Sequence, residues 1–122
     1  MAGYSARDLE ERWVRVLASV YAQVDWRRLR GRRRPLDVFE HRLEYAKYEV
    51  DVPSVLQRLA NSLSLQGFSA GVDDIEYLRA REAEALEVLR RWTKLLALKA
   101  SVEARKLKTA RKAEKEEGGG GA

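Results

Sequence analysis

Apolar residues recur along this chain at intervals of three and four, the spacing that gathers them on one face of an α-helix. From Ala6 to Leu29 the stripe is Leu9, Trp13, Val16, Leu17, Val20 and Val24, and Gly31 is placed to stop the helix. A second helix is predicted from Val38 to Val50 on Leu36, Phe39, Leu43, Ala46 and Val50, with Pro35 barring a continuous extension from the first. A third runs from Val55 to Leu65 on Val55, Leu56, Leu59 and Leu63 and ends at Gly67, after which Phe68 to Val72 reads as a turn. From Asp74 to Ala113 neither Pro nor Gly interrupts a run rich in Ala, Leu, Glu, Lys and Arg, so one helix about 60 Å long is expected.

Four capping-box patterns support these starts: Ser5/Asp8, Asp37/Glu40, Ser54/Gln57 and Asp73/Glu76. One segment has a competing reading. Tyr45, Tyr48, Val50 and Val52 suit a strand, and Pro53 favours extended backbone before it, so a small β element around residues 38–52 would give an α+β unit. The fold expected is mainly α: a compact helical amino-terminal domain, residues 5–68, then the long helix, 73–113, and a Gly-rich flexible tail, 114–122.

The long helix carries Ile75, Leu78, Ala85, Leu86, Leu89, Trp92, Leu96, Ala100 and Leu107 on its stripe. A small amino-terminal unit cannot cover all of these, which predicts a homo-oligomer, dimer or tetramer, joined through Leu78, Leu86, Leu89, Trp92 and Leu96. Glu82, Lys99 and Glu103 fall at seam positions of the best heptad frame, favouring a short bundle over a long zipper. The alternative is that the helix folds back on its own domain as far as Leu98.

Charge adds the first functional signal. The chain has 122 residues, a formal charge of +5 and a pI near 9.7, with 24 Lys plus Arg against 19 Asp plus Glu. Basicity is therefore local. Six of the eight residues from Arg27 to Arg34 are arginine (Arg27, Arg28, Arg30, Arg32, Arg33, Arg34), directly after Trp26. A guanidinium forks onto phosphate and stacks on flat rings as an ammonium does not. One or two cations would complement the carboxyl end of the first helix; six point to a polyanion, nucleic acid first. Trp26, Tyr45 and Tyr48, with Lys47 between the tyrosines, are candidate stacking and phosphate-binding partners for a single strand.

Other chemistry is thinly represented. No cysteine is present, so thiolate metal sites and nucleophiles are excluded, and His41 is the one histidine. Glu40, His41 and Glu44 make a poor metal set, and no phosphate-binding glycine loop or nucleophile elbow occurs. The expectation is a non-enzymatic protein with no cofactor, metal or catalytic residue. The longest aliphatic run, Leu95–Leu98, is too short to span a bilayer, so no membrane partner and a cytoplasmic location are expected. One Asn, one Met and no Cys beside 35% charged residues suggest a hyperthermophile source.

An Arg-rich, aromatic amino-terminal domain followed by a zipper-like helix resembles the ThermoDBP-related proteins of archaea, which are single-stranded DNA-binding proteins without an OB-fold. The likeness rests on layout and on Trp26-Arg27-Arg28 and Arg32-Arg33-Arg34. It implies sequence-independent binding of single-stranded DNA or RNA by an oligomer, with the strand held between subunits. Two other readings fit the same residues: a helical small subunit of an RNA-guided, CRISPR-type ribonucleoprotein, and a helical protein–protein adaptor.

Overall fold

The computed structural model describes residues 6–29 and 31–120, with side chains described as far as Leu107. Seven helices form the regular structure of the described residues, with no strand among them: α1 (Ala6–Gln23), α2 (Trp26–Leu29), α3 (Pro35–Ala46), α4 (Val52–Ser62), α5 (Val72–Ala80), α6 (Glu82–Arg91) and α7 (Thr93–Gly120). The fold is mainly α. The strand reading of 38–52 is corrected: Val38–Ala46 is helix and Lys47–Asp51 is a turn into α4. Val38, Phe39, Leu43 and Ala46 bury one face at helical spacing, which alternation cannot do.

The helix starts are set by residues other than the boxes. α3 begins at Pro35 after Arg34, while Asp37 lies inside its first turn and accepts two bonds from the Arg34 guanidinium at 3.0 and 3.2 Å. α4 is capped by Asp51, whose carboxylate accepts from the Ser54 amide at 2.7 Å. α5 starts after Gly71, and Asp74 in its first turn takes Arg12 at 2.7 Å and Arg15 at 3.4 Å. Ser5 of the first box lies outside the described residues.

The predicted single helix from Asp74 to Ala113 is broken twice, at Arg81 (φ −128°, ψ 42°) and Trp92 (φ −116°, ψ 28°). Both breaks share one feature. At the first, the Arg81 amide bonds the Leu78 carbonyl, and its guanidinium takes the Tyr77 carbonyl at 3.1 Å, the acceptor a continuous helix would give to the amide. At the second, the Thr93 hydroxyl takes the Leu89 carbonyl at 2.7 Å. A side chain competing for the carbonyl four residues back bends a helix. α7 then continues through Gly120, past the expected boundary at Ala113.

The two bends wrap α5, α6 and α7 around α1. α1 and α7 run in the same direction: Glu10 pairs with Lys99 near their starts, and Tyr21 meets Arg105 further along. α3 runs antiparallel to α7, with Lys47 beside Thr93 and Leu36 beside Arg105. The residues α7 turns inward are small, namely Thr93, Ala97, Ala100, Ser101 and Ala104, with Leu96 the one large exception. Small side chains at the contact permit close helix approach. Trp13 is fully buried at the centre and donates its indole N–H to the Ala85 carbonyl at 2.8 Å. Glu82, a misfit in any zipper seam, accepts from the Val52 amide at 2.9 Å and ties the start of α4 to α6.

This packing corrects the oligomer seam. Leu78, Leu86, Leu89 and Leu96 are buried in the chain's own core, and only Trp92 of the five candidates is exposed. The bends supply the reason, because each one rotates the following segment's stripe back onto α1.

Two outcomes test this core. Trp13→Ala should cost about 3–5 kcal/mol in urea unfolding. Hydrogen bonding from Ser54 holds the Asp51 carboxyl below its ordinary range, so its contribution is complete above about pH 4 and is lost as the pH falls through the lowered folded value. The gap in melting temperature between wild type and Asp51→Ala should therefore be present at pH 7 and shrink towards pH 2.

Candidate nucleic-acid interface

α1 ends at Gln23 rather than running on to Leu29. The Asp25 carbonyl starts α2 by accepting from the Arg28 and Leu29 amides at 3.2 and 3.3 Å. In a straight helix Trp26 would sit about 200° round the axis from Val24, on the solvent side. The break turns it inward. Trp26 is 8% exposed, gives its indole N–H to the Tyr21 carbonyl at 3.0 Å, and packs against Tyr21 (ring centroids 4.8 Å apart) and Phe39 (6.4 Å). As a base-stacking platform Trp26 is therefore corrected: it is a core residue that anchors α2.

That anchor presents the arginines. Arg27 and Arg28 project from α2, and Gly31, at φ +58°, takes the left-handed turn that leads the chain through Arg32, Arg33 and Arg34 into α3. A side chain at that φ would be strained. Arg27, Arg28, Arg32, Arg33 and Arg34 are all exposed, and Arg30 lies outside the described residues. A cleft of ≈ 590 Å³ opens beside them, lined by Tyr21, Trp26 and Leu36 together with Arg27, Arg34, Arg105 and one carboxylate, Asp25. Burial pushes the Tyr21 hydroxyl above its ordinary pKa, opposed by the Arg105 charge.

What sets this pole apart is the density of its exposed arginines. Elsewhere several cations are paired, Arg7 with Glu11, Arg12 and Arg15 with Asp74, Arg58 with Glu49, Lys47 with Glu44, Lys99 with Glu10, and Lys106 with Glu103, while Arg42, Arg79, Arg91 and Lys94, scattered over the molecule, form no ion pair among the described residues. Arg34 pairs with Asp37, which holds its guanidinium more firmly protonated. Arg27, Arg28, Arg32 and Arg33 form no ion pair among the described residues. Arg105, which no local pattern singles out, reaches the same cleft because α1 and α7 run parallel.

The tyrosines lie elsewhere. Tyr45 and Tyr48 are 60% and 68% exposed, but they follow α3 to its far end, about 18 Å along the axis from Arg34. Tyr45 packs edge-on against His41 at 5.2 Å. Lys47 is 8% exposed and paired with Glu44 at 2.7 Å, so it is corrected from a phosphate contact to a structural pair, its ammonium 5.2 Å from the Tyr48 ring centroid. Arg90 fixes this turn by donating to the carbonyls of Lys47 at 2.9 Å and Glu49 at 3.1 Å. Trp92 and Lys94, both exposed, border a small cleft with Lys47, so an aromatic and basic patch sits apart from the arginine pole.

Among the described residues no cluster of His, Asp or Glu could hold a metal ion, and no helix is long and apolar enough to cross a membrane. Compared with known proteins the chain finds no match, whether with family models, curated proteins or solved structures.

Tryptophan accessibility checks this placement. With Trp13 and Trp26 buried and Trp92 47% exposed, acrylamide should quench chiefly Trp92, and Trp92→Phe should remove most of the quenchable emission. A large quenchable component surviving in that variant would return Trp26 to the surface.

Proposed function

We propose that this chain binds single-stranded nucleic acid without sequence preference through its arginine pole. The observation that carries the reading is the density of exposed arginine at one end of the molecule. Arg27, Arg28, Arg32 and Arg33 lie exposed within seven residues of sequence and form no ion pair among the described residues. Mutual repulsion of that kind is relieved by phosphates, and the release of their counterions drives association. Arg105, on the other side of the cleft, lengthens the track. The resemblance in layout to the archaeal ThermoDBP-related proteins is consistent with this role.

Preference for single strands comes from rings that stack on bases, which a duplex hides. With Trp26 buried, Tyr45 and Tyr48 supply those rings at the other end of α3. A bound strand then lies along α3, phosphates at its amino-terminal end and bases at its carboxyl-terminal end. Binding is therefore length-dependent, because an oligonucleotide too short to span α3 meets only arginines.

Titration of labelled oligo-dT, oligo-rU and a matched duplex at several salt concentrations tests this. Four phosphate contacts predict a log–log salt slope near −3, at about −0.7 per contact on single strands. Replacing Arg28, Arg32 and Arg33 with Ala should flatten it by about two units, whereas Arg7→Ala should leave it alone. Tyr48→Ala should weaken long single strands by about 1–3 kcal/mol and spare both the duplex and short oligonucleotides. Unchanged binding in the triple-arginine variant would sink the site.

A further inference from the structure

Of the three tryptophans, Trp92 alone is left in solvent by the fold, yet its position is fixed. It is the joint between α6 and α7, where its amide donates to the Val88 carbonyl and its carbonyl accepts from the Leu96 amide, both at 2.9 Å. Trp13 and Trp26 give their indole N–H groups to backbone carbonyls, whereas that of Trp92 donates to no group among the described residues. An exposed indole on a firmly bonded backbone offers a flat face to a ligand. Beside it lies a cleft of ≈ 350 Å³ lined by Lys47, Arg90, Arg91 and Lys94 against one carboxylate, Glu44. Glu44 is already paired with Lys47, and Arg90 is taken up by the carbonyls of Lys47 and Glu49. Arg91 and Lys94 are exposed and form no ion pair among the described residues. Two open cations flanking an open ring suit a ligand that carries negative charge and a flat apolar face together.

We propose that Trp92, Arg91 and Lys94 form a nucleotide subsite, with one base of a single strand stacked on the indole and its adjoining phosphates held by the two cations. The inference rests on the reading that this chain binds single strands, and it adds a second anchor away from the arginine pole. Continuity with the far end of α3 favours it. Lys47 lines the Trp92 cleft, and its ammonium lies 5.2 Å from the Tyr48 ring centroid, so the two exposed rings share Lys47 as a neighbour. A strand that reaches Tyr48 therefore has a larger stacking face close by. Stacking of this kind accepts any base, in keeping with binding that ignores sequence. A duplex satisfies the cations but hides its base faces, and an acidic peptide satisfies them without bringing a base.

Trp92 is its own reporter. A long oligo-dT should quench the emission of the wild-type chain while anisotropy of a label on the strand follows binding. An abasic strand of equal length and charge should bind more weakly and leave the emission unchanged, and polyglutamate should also leave it unchanged. Trp92→Leu should abolish the quenching and weaken long oligo-dT about tenfold, with unchanged helical circular dichroism because the ring is already half exposed. Replacing Arg91 and Lys94 together with Ala should flatten the salt slope by about 1.4, at about 0.7 per phosphate contact. The abasic comparison uses the wild-type chain, so it decides the matter even where Trp92→Leu fails to fold. Oligo-dT that binds without quenching, or equal quenching by the abasic strand or by polyglutamate, would overturn the subsite and leave the arginine pole standing. Failure of the wild-type chain to bind oligo-dT at all would overturn both.

Discussion

Two backbone carbonyls, those of Tyr77 and Leu89, determine how the carboxyl-terminal half of this molecule is built. Each is taken by a side chain, the guanidinium of Arg81 or the hydroxyl of Thr93, at the place where a helix would use the amide four residues on. The amide ladder is interrupted over the residues between Arg81 and Ala85 and between Trp92 and Leu96, and the side-chain bond holds one of the freed carbonyls at each break. The consequence is large: a rod becomes three segments that close around α1. Burial of Leu78, Leu86, Leu89 and Leu96 follows from that closure, each large side chain contributing about 1.5–3 kcal/mol when removed from water. So does the close seat of α7, whose Ala97, Ala100 and Ala104 let its backbone approach α1 and α3.

The arginine pole depends on the same closure from the other side. Phe39 of α3, Tyr21 of α1 and Trp26 of α2 form one aromatic group, with Tyr21 and Phe39 5.0 Å apart and nearly perpendicular. α2 is a single turn, too short to be stable alone, and it is held through Trp26. Arg27 and Arg28 are thus mounted on a rigid anchor, while Arg32 and Arg33 sit on a glycine-initiated turn. A buried ring beneath exposed guanidiniums fixes their positions without competing with a ligand for them.

Much of this architecture is legible from residue spacing. The stripe of Leu9, Trp13, Val16, Leu17 and Val20 identifies α1 and its buried face, and Phe39 and Leu43 do the same for α3. The alternative that the last helix folds back on its own domain anticipates the burial of Leu89 and Leu96. What escapes spacing has a common physical origin. Arg81 and Thr93 are ordinary helix residues, and only their side-chain rotamers break the ladder; neither Pro nor Gly marks the site. Asp51 caps α4 three residues ahead of the serine that pattern favours, because Pro53 is admissible in a first turn. The arrival of Arg105 at the cleft depends on the register of two parallel helices far apart in sequence. Local patterns carry no such information. The site itself was half legible: the arginines are exposed as their sequence suggests, whereas Trp26 and Lys47 are withdrawn by a helix break and a short-range ion pair.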